Sequence, residues 1–295
     1  MNQVLQDLVT LLDLETLEYN LFRGASRNLG GRSVFGGQVL GQALIAAGRT
    51  VQNAQAHSLH GYFLRPGDMQ APIVYEVDRV RDGQHFSVRR VQAIQFGRPI
   101  FTMITSFQLP EDGLEHQAPM PDVPPPEQLR SQSELREQWL ARHGDVVPER
   151  LKTAIRRPLP IEFRHVTPWN FLAPDVRPPK QQIWFRTPGK LPDDPMLHRC
   201  VLAYSSDFNF LSTALMAHGK SFLDPDMAVA SIDHAIWFHR DVRVDDWLLY
   251  CMESPTAQSA RGLSRGLIYD RSGRLVASVA QENLMREHRL PKTPD

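Results

Sequence analysis

The sequence predicts an α+β chain of two tandem units, each a long apolar helix followed by about four antiparallel strands. Three observations point to it. An apolar, proline-free run at 34–51, alanine-rich toward its end, reads as a buried helix, and 197–215 reads as a second one. Strand-like segments follow each run in the same order, with His60 ahead of Tyr62-Phe63 in the first half and His234 ahead of Trp237-Phe238 in the second. Between the halves the composition changes, with prolines at 110, 119, 121, 124, 125 and 126, as in a connector. A helix that is apolar on most sides is best buried by a curved antiparallel sheet wrapped around it.

The individual elements follow from periodicity and breakers. Val4, Leu5, Leu8, Leu11 and Leu12 fall at helical spacing, so 4–12 is expected as an amphipathic helix. Residues 16–24 are expected as one strand, and 57–65 as another that ends at the turn Pro66-Gly67. Strands are expected at 72–81 and 85–96, with Gly97-Arg98-Pro99 turning the chain into 100–108. After the proline-rich stretch a polar helix is expected at about 127–143, then a loop to about 157. In the second half the expected strands are 229–240, 246–253, 257–269 and 274–285, the last two joined by a turn at 270–273. The expected domains are therefore 1–112, a linker at 113–157, 158–290 and a tail at 291–295.

Composition narrows the class. At about 150 residues per domain, 295 residues suggest roughly two domains. The 42% hydrophobic content is enough for a sizeable core, and 33 basic against 33 acidic residues give no overall attraction to nucleic acid. No apolar run approaches the roughly 18–20 residues of a membrane helix. The start, MNQVLQDLVTLLDLE, has neither the basic region nor the cleavage site of a signal peptide, so a cytoplasmic protein is expected. Cys200 and Cys251 are too few for a disulfide framework and are expected as free thiols.

Several motifs invite chemistry. GLSRG at 262–266 has the G-x-S-x-G form of a nucleophile elbow, but its flanks are strand-like and no helix follows for the serine to sit above. The eleven histidines include no metal-ligand spacing, so no metal is expected. GGRSVFGGQ at 30–38 is no P-loop; it reads as a loop leading into a helix N-terminus, which can hydrogen-bond an anionic or carbonyl oxygen. The sharper signal is YSSDFNFL at 204–211, where Asp207 is expected in the middle of a buried helix. A carboxylate there is costly unless it is paired or working. Cys200 on the same helix is expected as a packed thiol. Gln281 lies mid-strand among small and apolar neighbours and needs hydrogen-bond partners, and Ser231 is expected near the opening of the strand after the second helix.

These residues stand in blocks that closely resemble the acyl-CoA thioesterase II family of bacteria and its peroxisomal relatives. The blocks are VFGGQVLGQAL at 34–44, HSLHGYFLRPGD at 57–68, YSSDFNFL at 204–211, IDHAIWFHR at 232–240 and VASVAQENLMR at 276–286. The resemblance runs to about residue 288 and is weakest over 110–160. It implies a double hot-dog fold and hydrolysis of acyl-CoA to a free fatty acid and CoA, with no cofactor. It also implies a catalytic set of an Asp, a Thr or Ser and a Gln that orient a water. By motif these are Asp207, Ser231 (where the bacterial pattern has Thr) and Gln281. Ser keeps the hydroxyl and loses the β-branch that restrains its rotamer. His57 occupies the place in the first half that Ser231 takes in the second, and is expected to contact substrate or a catalytic side chain. Association into dimers or tetramers is usual in the family. The end Lys-Thr-Pro-Asp differs from a peroxisomal Ser-Lys-Leu signal.

Two other functions compete. Hot-dog hydratases carry D-x-N-P-x-H, whereas here Phe210 replaces the Pro and Ser212 the His, removing the acid–base partner that hydration needs. A non-catalytic acyl-CoA-binding protein is the other. Arg65, Arg89 and Arg90 are basic groups that could meet CoA phosphates or serve structure.

Overall fold

The structure, a computed structural model, describes residues 2–29, 31–147, 149–170 and 172–288. Asn2 caps α1 (Gln3–Leu12) by accepting from Leu5 N, and Leu5, Leu8, Leu11 and Leu12 are its buried face. The single strand expected at 16–24 is a hairpin instead, β1 (Glu15–Glu18) and β2 (Leu21–Gly24), turning at Tyr19-Asn20. Asn favours such a turn, and the Arg23–Glu15 ion pair closes the strands. Next comes α2 (Gly36–Gly48), inside the helix expected at 34–51 and buried along nearly its whole length. The strands β3 (Gln55–Phe63), β4 (Ile73–Asp82), β5 (Phe86–Gln95) and β6 (Arg98–Gln108) complete the first half near their expected places. The β5–β6 turn falls at Phe96-Gly97 rather than at 97–99, since both of those residues have positive φ, as a two-residue hairpin requires.

The connecting region holds α3 (Gln132–His143), started by a Ser131/Glu134 capping box, and α4 (Glu149–Arg156), where only loop was expected. It is tied to the second half. Trp184 Nε1 donates to Pro124 O, Arg164 to Pro126 O and Leu129 O, and Gln117 bonds both Gly273 O and Leu275 N. Two strands then appear that the sequence pattern did not announce, β7 (Glu162–His165) and β8 (Lys180–Arg186). They are short, and the many prolines between 158 and 188 mask them.

The helix expected at 197–215 is broken. α5 (Pro195–Ser206) ends, Asn209 takes a left-handed conformation at φ +65°, and a separate helix α6 (Phe210–Leu215) follows. Asp207 is therefore not mid-helix but sits at the C-terminal cap of α5. The strand expected at 229–240 is likewise two strands, β9 (Met227–Ser231) and β10 (Asp233–Phe238), so that Ser231 closes a strand rather than opening one. The chain finishes with β11 (Leu248–Gln258), β12 (Arg261–Asp270) and β13 (Leu275–Glu287). The tail expected at 291–295 lies outside the described residues.

All these strands form one antiparallel sheet, ordered β1-β2-β4-β5-β6-β3-β10-β13-β12-β11-β8-β7, with β9 added to β13. The halves join at the β3–β10 pair, from Asp233 opposite Tyr62 to Trp237 opposite Ser58. α2 packs against β3 to β6, and α6 against β11 to β13. α2 and α5 lie antiparallel: Gly37 approaches Tyr204 and Gly48 approaches Met196. Their shared surface, with Leu40, Leu44, Val201 and Tyr204, lies in the main core. Each such Leu or Val side chain contributes roughly 1.5–3 kcal/mol by leaving water. This is the double hot-dog fold, with α2 packed on the first-half strands, α6 on the second-half strands, and α5 lying along α2.

Candidate active site

Three elements of the second half and one of the first converge on Asp207. The break between α5 and α6 turns its carboxylate toward the start of α2, where Gly37 N donates 2.9 Å to Oδ2. An anion at a helix C-terminus meets the negative end of the dipole; here the positive end of α2 offsets it. Glycine is required at this approach. A methyl group at Gly36 would lie 2.8 Å from Asp207 Oδ2 and 2.9 Å from Phe63, and one at Gly37 would lie 2.3 Å from Tyr204 O. The helix N-terminus read from the glycine-rich stretch thus does bind an anionic oxygen, and that oxygen belongs to Asp207.

Ser231, at the end of β9, stands opposite Asn283 of β13, and its Oγ lies 3.4 Å from Asp207 Oδ1. Gln281, two residues back on the same face of β13, donates from Nε2 to Ser231 Oγ at 3.0 Å and to Asn283 Oδ1 at 2.6 Å. The structure therefore brings all three expected residues together in one chain of hydrogen bonds. Asp207 is 9% exposed and Gln281 1%. Burial pushes the Asp207 carboxyl above the usual carboxylate range. The field of His234 and the donors of Gly37, Gln281 and Ser231 offset part of that rise.

His57 does not join them. It lies on β3, with Nε2 2.8 Å from Ser106 Oγ of β6 and its ring edge-on to Phe86. Cys200 is fully buried, and burial pushes its thiol up, as suits a packed side chain. Ser264 of the GLSRG sequence lies within β12 and donates to Phe210 O. Arg89 is turned inward, bonded to Thr50, Asp82 and the carbonyls of Arg81 and Val88. Arg90 pairs with Asp78, and Arg65 donates to Pro99 O.

Sequence reasoning missed His234. Fully buried on β10, it bonds Gln281 Oε1 through Nδ1 and lies 2.9 Å from Ser206 Oγ through Nε2. Its signal was available: in IDHAIWF it alternates inward with Ile236 and Phe238, a polar residue on a core face.

Both halves of the chain match known families. Residues 159–284 match the family described as acyl-CoA thioesterase, and residues 25–108 the acyl-CoA thioesterase N-terminal domain. The chain is 42% identical over 290 residues to acyl-CoA thioesterase 2 of Haemophilus influenzae, covering 97% of this chain and 99% of that protein. It belongs to the acyl-CoA thioesterase family. Human acyl-coenzyme A thioesterase 8 is 40% identical over 286 residues, covering 95% of this chain and 88% of the human one. Among solved structures, acyl-CoA thioesterase II TesB2 of Mycobacterium marinum superposes with a TM-score of 0.77 at 42% identity, covering 95% of this chain and 98% of that one. A hot-dog protein of unknown function from Alicyclobacillus acidocaldarius reaches 0.76 at 18% identity, covering 96% and 99%, a likeness of fold alone. In this thioesterase, the two matched segments fall one on each side of the connecting region, and Asp207, Ser231 and Gln281 all lie within the second.

Proposed function

We propose that this protein hydrolyses acyl-CoA to a free fatty acid and CoA, by a water that Asp207, Ser231 and Gln281 hold. The observation that carries the reading is the convergence of these three side chains, from α5, β9 and β13, into one hydrogen-bonded chain ending on a buried carboxylate. Asp207 takes the proton of the water as it attacks the thioester carbonyl, and its raised pKa suits a general base. Ser231 and Gln281 hold the water's geometry. Developing charge on the carbonyl oxygen is met by backbone N–H groups near a helix N-terminus or by a Gln side chain. The leaving thiolate needs no strong acid, since thiols have a pKa near ~8.5. No acyl-enzyme forms, and no cofactor takes part.

The same reading places the enzyme in the cytoplasm, in fatty-acid metabolism, as a dimer or tetramer of chains with units at 1–112 and 158–290 on either side of a linker. Tyr62, Ile104 and Trp237, exposed on neighbouring strands at the middle of the sheet, support assembly through that face.

The test is release of free thiol from a C4–C18 acyl-CoA series by wild type and Asp207→Asn. Hydrolysis that falls at least ~10²-fold in the variant supports the reading. Binding of acyl-CoA with no release by wild type would favour the non-catalytic binder. Hydration of an enoyl-CoA at a comparable rate would favour the hydratase.

A further inference from the structure

We infer that His234 is a positioning residue for the hydrolytic step: its Nδ1–H fixes which end of the Gln281 amide faces Ser231, and thereby the direction of every hydrogen bond leading to Asp207. The inference rests on the Asp207, Ser231 and Gln281 reading above.

An amide side chain has an acceptor end and a donor end, and the two are not interchangeable in a closed site. Gln281 uses Oε1 toward His234 Nδ1, and both N–H groups of Nε2 toward Ser231 Oγ and Asn283 Oδ1. Having accepted from Gln281, Ser231 keeps its own proton for Asp207 Oδ1. With the amide reversed, its carbonyl would draw the Ser231 proton away from Asp207, and its N–H groups would face another N–H at His234. The reversal would set N–H against N–H at His234 and carbonyl against carbonyl at Asn283, leaving a buried donor and a buried acceptor unpaired at about 1–3 kcal/mol each.

The tautomer that makes this work is assigned from the same network. With the ring proton on Nδ1, the one Ser206 hydroxyl proton is shared between His234 Nε2 and Ala203 O, each 2.9 Å from Ser206 Oγ. Ser206 is the last residue of α5 and precedes Asp207, so His234 ties the catalytic carboxylate's helix to the strand that carries Gln281. The groups packed around the imidazole are Gln281 of β13, Ser206 and Asp207 at the end of α5, the Phe210 ring of α6 and the neighbouring Asp233. His234 is fully buried and touches the site through its hydrogen bonds to Gln281 and to Ser206, the residue before Asp207.

The experiment compares three variants in the acyl-CoA thiol-release assay. His234→Asn keeps an N–H where Nδ1 stands, His234→Gln moves the donor toward the Nε2 position, and His234→Leu removes both. His234→Asn is expected to keep kcat within about fivefold, while His234→Gln and His234→Leu lose on the order of 10²-fold in kcat with KM little changed, the scale of a misplaced catalytic group. Adding His234→Leu to Gln281→Ala is expected to cost little more than Gln281→Ala alone. Equal losses in His234→Asn and His234→Gln, or a loss that follows Tm, would overturn the inference. The Asn-against-Gln comparison decides even if His234→Leu does not fold. Asp207→Asn in the same assay separates the two levels. If it keeps turnover, the catalytic reading fails; if it collapses while His234→Leu works normally, only the role of His234 fails.

Discussion

Gly37 and Asp207 are 170 residues apart in sequence, yet the amide of one donates to the carboxylate of the other at 2.9 Å. The bond crosses from the helix of the first half to the broken helix of the second. It gives Asp207 a donor that the second half does not contain, so on the proposed mechanism the first half acts as part of the catalytic environment rather than as a spacer.

Gly37→Ala tests that contact. Its new methyl group would stand 2.3 Å from Tyr204 O, a backbone atom of α5 that has no soft way to yield. Overpacking of this kind typically costs about 1–3 kcal/mol. Thermal melting is expected several degrees lower, with turnover reduced further than stability alone accounts for.

Asp207→Asn should stabilise the protein while disabling it. Burial raises the folded-state pKa of Asp207 above its unfolded value of about 3.9, so the native state binds that proton more tightly. Its contribution to stability is full below about pH 4 and is lost as pH rises through the raised value. Above that raised value the ionised group is a burden. Melts from pH 4 to 8 are expected to show Asp207→Asn above wild type at pH 7, with the gap closing toward pH 4. Wild-type turnover should rise with pH through the same raised pKa.

Asn209 sets the break in the second helix. At φ +65° it accepts from Thr213 N, Ser212 Oγ and Thr213 Oγ1 through its carbonyl. Asn209→Gly keeps that conformation available and is expected to be well tolerated. Asn209→Val strains it, at about 1–3 kcal/mol, and is expected to lower kcat by shifting Asp207. Equal melting temperatures for the two variants would contradict this account.

Arg89 is buried to 1% exposure and spends its donors on Thr50, Asp82 and two backbone carbonyls. Arg89→Met orphans buried acceptors at about 1–3 kcal/mol each. A marked loss of stability is expected, with KM for acyl-CoA unchanged in the folded fraction. A raised KM at unchanged Tm would instead place this cation on substrate phosphate.

Helical periodicity and long strands made the architecture legible: Leu5, Leu8 and Leu12 mark one helix, and the apolar runs at 34–51 and 276–286 mark elements that packing then buries. What escaped were interruptions. The Tyr19-Asn20 turn, the Asn209 break and the division at Ile232 each involve one or two residues, too few to disturb a window-scale pattern. β7 and β8 escaped because prolines crowd around them. For the site, motif resemblance named Asp207, Ser231 and Gln281, and the pattern showed that Gln281 needed partners. It could not show who they were, because His234 and Asn283 become neighbours only through strand register.

The β3–β10 pairing also has a kinetic side. Until β10 is made, β3 presents one edge of unsatisfied amides and carbonyls, a template for wrong pairing. At about 5–20 residues per second of synthesis, the ribosome leaves that edge open for on the order of ten seconds or more. The native topology is rich in contacts between residues far apart in sequence, which slows folding. A nascent first half that folds on its own therefore waits with a sticky flank, and it is in that interval, rather than in the finished enzyme, that aggregation and chaperone dependence should concentrate.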